Sequence, residues 1–413
     1  MLSGSLADQQ SGESMRSKLD TPHAIASMVV LAVVGAMFFL LMPMYIGALA
    51  DFAHFDNEQI GNLTFFELIG VALASLTSLF WIRRADWRYG VAIACMGLMA
   101  ANGLSLLNHE FNWLAGSRAL AGLGEGSLLC IAYAALGDTN EVDRNFGYSV
   151  IAQILAPALF FILLPGWFEH YGLNAIFYVQ IGCAALALIT VISLPATGIQ
   201  RDGEISILSV GRFPIMGLLA SVLFFIGVTA VWGFVERIGV AEAFSSQVVA
   251  NVLAASLFAS VIGAVIASTL GVRFTRHWPM VFALVVQLIA LTILVEGVSL
   301  IGYAVAIIVY SVGWNLWMPY QLSAISQVDN SGRIMGVVPL AQAFGISLGP
   351  LIAGQLLSGE SYIAINWMGA VFGALSLILF IPVCIAGQFV HKDPSGLEAA
   401  GLKQTALDNP TNI

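Results

Sequence analysis

The chain has 413 residues, of which 59% are hydrophobic and 9% charged, with a mean hydropathy of +0.90. Soluble domains carry about 25% charged residues, so this composition excludes one and describes an integral membrane protein. The net charge of −9 comes with no basic stripe, which argues against nucleic acid as a partner.

A membrane span needs about 20 apolar residues. Hydropathy divides the chain into twelve such segments: 24–49, 59–82, 90–107, 112–135, 147–165, 174–194, 213–235, 247–271, 279–295, 299–325, 334–357 and 362–387. Residues 1–20 and 393–413 are polar stretches of disordered composition. The first segment is too long for a signal-peptide core and follows Asp8, Glu13 and Asp20, which speaks against a cleaved leader. Its Gly35, Pro43 and Gly47 predict a deformable helix.

The second segment carries Glu67, and the fourth carries Arg118 and Glu125. Each charge costs about 2.5–3.5 kcal/mol at mid-helix, so all three are expected to face a partner or a cavity. Both segments run outside to inside, which at 1.5 Å per residue puts Glu67 roughly 12 Å and Arg118 roughly 9 Å below the outer edge. The two meet if their helices are neighbours. Glu125 lies almost two turns beyond Arg118 on the same face, about 10 Å away.

The seventh segment ends in Glu236 and Arg237, read as a solvated outer pair with gating or a rim salt bridge as the alternative, and its Trp232 reads as an interfacial anchor. In the tenth, Tyr310, Trp314 and Trp317 form one stripe at helical spacing, with Asn315 beside it and Pro319 expected to kink the helix. That stripe is either a cavity wall for an apolar or aromatic solute or ordinary packing. The eleventh holds Gln342 and the glycines Gly336, Gly345, Gly349 and Gly354 around Pro350, marking a closely packed, bendable helix. Cys95, Cys130, Cys183 and Cys384 sit in apolar segments without metal-ligand or disulfide spacing, and all six histidines lie in or beside loops. No metal or cofactor is expected.

The cations fix the orientation. Arg16, Lys18, Arg83, Arg84, Arg88, Arg144, Arg201, Arg212, Arg273, Arg276, Arg333, Lys392 and Lys403 all fall on the side of the N-terminus; only Arg118 and Arg237 do not. Cytoplasmic loops retain Lys and Arg, so both termini are expected in the cytoplasm and the protein in the cell (inner) membrane.

The polar connection 195–212 divides the segments six and six. A shift of 189 residues maps Phe55 onto Phe244, Asn62 onto Asn251, Arg84 onto Arg273, Arg144 onto Arg333, Gly147 onto Gly336, Ala152 onto Ala341 and Gln153 onto Gln342. An internal duplication follows. Each half crosses an even number of times, so the repeats are parallel, about an axis along the membrane normal. The expected domains are a tail (1–20), a six-helix bundle (21–194), a linker (195–212), a second bundle (213–390) and a tail (391–413).

With this architecture the chain resembles the major facilitator superfamily over about residues 20–390. The fourth segment has Arg118-x-x-x-Gly122-x-Gly124, similar to the family's fourth-helix arginine motif, with Ala121 and Glu125 departing from it. The eleventh has Gly345-x-x-x-Gly349-Pro350-x-x-Ala353-Gly354, which looks like the antiporter glycine-proline motif, found in the fifth segment of drug:proton antiporters. The loop after the second segment keeps Arg83, Arg84 and Arg88 of the family pattern, but Ser78 and Ile82 replace its Gly and Asp. The resemblance implies an all-α transporter of twelve membrane helices that works by alternating access.

The expected function is secondary active transport of a small organic solute, coupled to protons through Glu67 or Glu125, with a monomer in the lipid bilayer as the working unit. Uptake of an organic acid and export of an amphipathic compound both fit. Arg118, Glu125, Gln153, Gln342, Tyr310, Trp314 and Asn315 are the candidate substrate contacts. Arg118 either binds an anionic group or exchanges partners with a protonatable Glu; a static buried pair is the alternative. No ATP-binding glycine loop appears, and an enzyme is not expected. A non-transporting sensor or scaffold with the same fold is the other reading.

Overall fold

The computed structural model describes residues 19–198, 211–270, 275–329, 334–357 and 361–392. Most of the expected tails and of the linker, with Arg16, Lys18, Arg201, Arg273, Arg333 and Lys403, lie outside the described residues. The described residues form twelve long helices. They are α1 (Pro22–Ala53), α2 (Asn57–Trp81), α3 (Trp87–Leu107), α4 (Phe111–Leu136), α5 (Val142–Tyr171), α6 (Asn174–Thr190), α7 (Arg212–Ala241), α8 (Ser246–Leu270), α9 (His277–Ile293), α10 (Leu300–Val328), α11 (Val338–Leu356) and α12 (Ile363–Lys392). Ten are long and apolar enough to span a bilayer; α9 is shorter, and α11 is diluted by Gln, Gly and Pro.

Local chemistry sets the helix starts. Thr21 accepts from the Ala24 amide with Pro22 in the first turn of α1, and Asp56 and Gln59 cap α2 reciprocally. Asp86 and Ser299 cap α3 and α10. The largest departure from the hydropathy boundaries is α5, which starts five residues before 147 and continues through Pro165 to Tyr171. Its polar ends dilute the apolar signal without stopping the helix.

The helices divide into halves, α1–α6 and α7–α12, with matching internal packing. In the first, α4 packs on α2, α3 and α1; in the second, α10 packs on α8, α9 and α7. Missing side chains permit the closest crossings. A Cβ on Gly122 of α4 would stand 1.8 Å from the Glu67 carbonyl oxygen of α2, and one on Gly263 of α8 would stand 2.2 Å from the Val312 carbonyl oxygen of α10. The halves meet as α1 on α7, α2 on α11 and α5 on α8.

Twelve alternating passes bring the start of α1 and the end of α12 to one end. There Asp20 accepts from the backbone N–H of Asn140 (3.0 Å), and Arg83 pairs with Asp138. Toward the opposite end the two central helices are enclosed on all sides. α7 is buried without interruption from Phe224 to Gly239, and α1 from Leu31 to Leu49 except for Phe39 and Leu40. Nearer the terminal end α7 loses cover, with Ile215 54% and Leu219 50% exposed. The seam between the halves is therefore shut at the end away from the termini.

Candidate functional site

The crossing of α2 and α4 brings Glu67 and Arg118 together, as their depths require. Arg118 Nη1 donates to Glu67 Oε1 (3.3 Å) and Gln180 Oε1 (3.1 Å); Nη2 donates to Asn102 Oδ1 (3.0 Å) and Ser105 Oγ (2.8 Å). The guanidinium carbon also lies 4.7 Å from the centroid of the Phe177 ring. Gln180 passes the network on, its Nε2 donating to Glu125 Oε1 at 3.2 Å. Four helices thus contribute: Glu67 from α2, Asn102 and Ser105 from α3, Arg118 and Glu125 from α4, Gln180 from α6.

Every member is buried, with Glu67 and Arg118 at 0% exposure and Glu125 at 1%. Arg118 Nε, Glu67 Oε2 and the Tyr45 hydroxyl have no hydrogen-bond partner. A charge removed from water costs several kcal/mol unless paired and hydrogen-bonded, which accounts for the dense set of acceptors around Arg118. Asn102, Ser105 and Gln180 escaped the sequence reading. Their signal was weak: isolated amides and hydroxyls in apolar runs, whose significance depends on which helices meet.

The second constellation is aromatic and lies on the seam. Phe39 of α1 meets Trp314 of α10 edge-on at 5.9 Å, Trp314 meets Trp232 of α7 at 6.2 Å, and Trp232 meets Phe161 of α5 at 6.3 Å. Trp232 Nε1 donates to the Phe39 carbonyl oxygen (3.2 Å), a bond between the halves. This corrects the reading of Trp232 as an interfacial anchor: it is 3% exposed, and its indole N–H is satisfied by protein. Phe39, Trp314 and Asn315 are half-buried at mid-helix, whereas Tyr310 is buried. Trp317 lies in the core of the second half, stacked on Phe224 at 4.6 Å with its Nε1 donating to Gln321. Seven residues are almost two full turns, so Tyr310 and Trp317 share one face of α10; what differs is the depth, at which Trp317 meets Phe224 of α7 and Phe380 of α12.

Asn315 Nδ2 donates to the Ser311 carbonyl oxygen (3.3 Å). Gln153 donates to Ser149 Oγ (2.8 Å) and accepts from the Tyr133 hydroxyl (3.4 Å), all within the first half. The half-buried Gln342 has its Nε2 unpaired. None of these joins the Arg118 network.

Glu236 and Arg237 are not the solvated pair expected. They are 3% and 6% exposed and belong to a three-charge group that includes Asp51 of α1. Arg237 donates from Nη1 to Asp51 Oδ1 (2.7 Å), from Nη2 to Asp51 Oδ2 (2.9 Å), and from Nε to Glu236 Oε2 (2.6 Å). The bidentate fork bridges the halves at their closed end. Gly47 admits the Glu236 carboxylate, since a Cβ there would lie 2.5 Å from Oε2. A cavity of about 430 Å³ adjoins the group, lined by Asp51, Phe52, Glu169, Glu236 and Gln247 among others.

No family model matches the chain, and no curated protein matches it. Solved structures do. The nucleoside transporter NupG matches with a TM-score of 0.68 at 12% identity, over 90% of this chain and 100% of that chain. A bacterial homologue of the human lysosomal transporter Spinster, solved inward-facing and unoccupied, matches with a TM-score of 0.63 at 13% identity, over 90% and 98%. The chain shares the twelve-helix fold of those two transporters, the fold that the sequence resemblance implies.

Proposed function

We propose that this protein is a secondary active transporter that moves a small organic solute across the cytoplasmic membrane by alternating access, with the proton as coupling ion. The observation that carries the reading is the asymmetric seam. Two six-helix halves are joined by Trp232–Phe39 near mid-depth and by Arg237–Asp51 toward one end, while α7 loses cover toward the other. Arg83, Arg84, Arg88, Arg144, Arg212 and Arg276 stand at the terminal end, which supports a cytoplasmic position for it and an inward-opening conformation.

The two constellations divide the work. The half-buried Phe39, Trp314 and Asn315 offer an aromatic face and a side-chain amide to a solute with a planar or apolar part. A nucleoside, the solute named for NupG, has that character, as do amphipathic organic acids. The Glu67–Arg118–Glu125 network has the protonatable groups and stands apart from the aromatic seam. Arg118 spends its donors inside the network, which supports its role as counter-ion to a proton carrier over direct capture of an anion in this conformation.

Purified protein screened by thermal shift against nucleosides, organic acids, sugars and hydrophobic amines, then tested for flux in proteoliposomes, decides the matter. A stabilising ligand taken up under an imposed pH gradient supports the reading. Stabilisation without flux in any gradient would favour a sensor or scaffold instead.

A further inference from the structure

The Gln180 amide has only one workable orientation. Its Oε1 accepts from Arg118 Nη1, and its Nε2 donates to Glu125 Oε1. Flipping the amide would turn NH₂ toward a guanidinium, which has no acceptor, and a carbonyl toward a carboxylate. Gln180 therefore links the cation to the second carboxyl group while also lying beside Glu67, and it is itself 3% exposed. Arg118 touches Glu67 directly and Glu125 only through this amide.

The charges in this enclosure do not balance if both acids are ionised. The titratable groups around the network are Tyr45 on α1, Glu67 on α2, Arg118 and Glu125 on α4 and Cys183 on α6; α3 faces it with the neutral Asn102 and Ser105. The α11 helix, packed on α2, has no titratable residue. One cation among two buried carboxylates leaves a net negative charge with no counter-ion, and a buried uncompensated charge is the costliest arrangement available. Protonating one carboxyl group removes it.

We propose that Glu67 and Glu125 hold one proton between them, and that Gln180 is the positioning residue that assigns it to Glu125 by keeping Arg118 on Glu67. This rests on the proton-coupled reading of the same site and adds its stoichiometry and a residue. The proton enters from water and leaves to water, and Gln180 only fixes where it resides. The amide supplies a neutral donor to one carboxyl oxygen of Glu125, which a protonated acid accepts through its C=O. The ionised Glu67 keeps the charged donor, the stronger partner for an anion.

The test is infrared difference spectroscopy of the full-length protein in lipid, reading the C=O stretch of buried protonated carboxyl groups by its shift in D₂O. The wild type, compared on a Glu236→Gln background so that the other buried carboxyl group does not enter the count, is expected to show one such band at neutral pH. Glu125→Gln is expected to abolish it. Glu67→Gln is expected to abolish it too, because Arg118 then has only Glu125 to neutralise it. Gln180→Met, close to glutamine in shape, is expected to keep a band moved to higher frequency, because a donor to the C=O is gone. Thermal melting and monodispersity establish that each variant is folded; should Gln180→Met fail, Gln180→Leu replaces it, and the count from the two glutamate variants stands alone. A band that survives Glu125→Gln, two bands in the Glu236→Gln background, or an unmoved band after the Gln180 substitution overturns the proposal. The readout needs no solute, so a spectrum as expected with no flux would defeat the transport reading alone.

Discussion

Arg118 gives four of its donors to neutral and acidic acceptors on three helices, and none to Glu125 on its own helix. That allocation makes its removal more damaging than that of Glu125. Arg118→Met is expected to destabilise the protein by about 3–5 kcal/mol, because it strands a buried carboxylate and several polar groups. Glu125→Gln is expected to fold normally yet lose pH-driven transport. Thermal melting together with proteoliposome flux at matched and opposed pH separates the two outcomes, and wild-type coupling in Glu125→Gln would remove it as the proton carrier. At the seam, Trp314→Ala is expected to weaken binding of an aromatic solute by about 1 kcal/mol beyond lost area, read as a several-fold rise in Kd.

The three intramembrane charges were legible because an ionised group in an apolar run is expensive, and their depths predicted the Glu67–Arg118 meeting. Gln180 and Asn102 were not. An amide in a span carries a modest penalty, and nothing in the chain says that residues 102 and 180 converge on one guanidinium. The Asp51–Arg237–Glu236 group was misread for a related reason. Charges near the hydropathic end of a segment look solvated, but α1 and α7 continue beyond that end and bury Glu236 and Arg237, with Asp51 at the exposed rim.

Helix crossings depend on where side chains are missing. Gly122→Ala puts a methyl against the Glu67 carbonyl oxygen, at a position where a Cβ would stand 1.8 Å from backbone, so α2 and α4 must separate. The expected cost is about 1–3 kcal/mol, with the Glu67–Arg118 contact disturbed as well. Gly97 on α3 has no heavy atom within 4 Å of a built Cβ. Gly97→Ala is therefore expected to be neutral or to stabilise by up to about 1 kcal/mol through helix propensity. Melting curves of the pair decide whether close approach or general glycine content matters. The number and order of helices were readable from hydropathy, whereas their ends were set by caps and by polar turns beyond the apolar run, as with α5 and with α11, which begins four residues later than its segment.

For the molecule as a whole, the Arg237 fork holds the halves together toward one end and the Trp232–Phe39 bond near mid-depth, and both must break for that end to open. Asp51→Asn removes the charge that draws α1 to Arg237 while leaving Glu236 to pair with it. Spin labels at positions 53 and 241 are expected to show a longer-distance population that is minor in the wild type. An unchanged distance distribution would mean that apolar packing alone closes this end.

The two flanks of the seam are unlike. On one, α2 and α11 touch backbone to backbone, a Cβ on Gly61 standing 2.6 Å from the Pro350 carbonyl oxygen and one on Gly354 standing 2.3 Å from that of Asn57. On the other, the repeat-related positions are Ala250 and Pro165, and α5 meets α8 through a side chain, Gln247 Nε2 donating to the Ile162 carbonyl oxygen at 3.2 Å. A joint with nothing between its backbones pivots, and one filled by flexible groups parts. Rocking of the halves would thus keep α2 and α11 in contact while α5 and α8 slide and part. A lipid-soluble cargo arriving sideways from the bilayer would find its portal between α5 and α8.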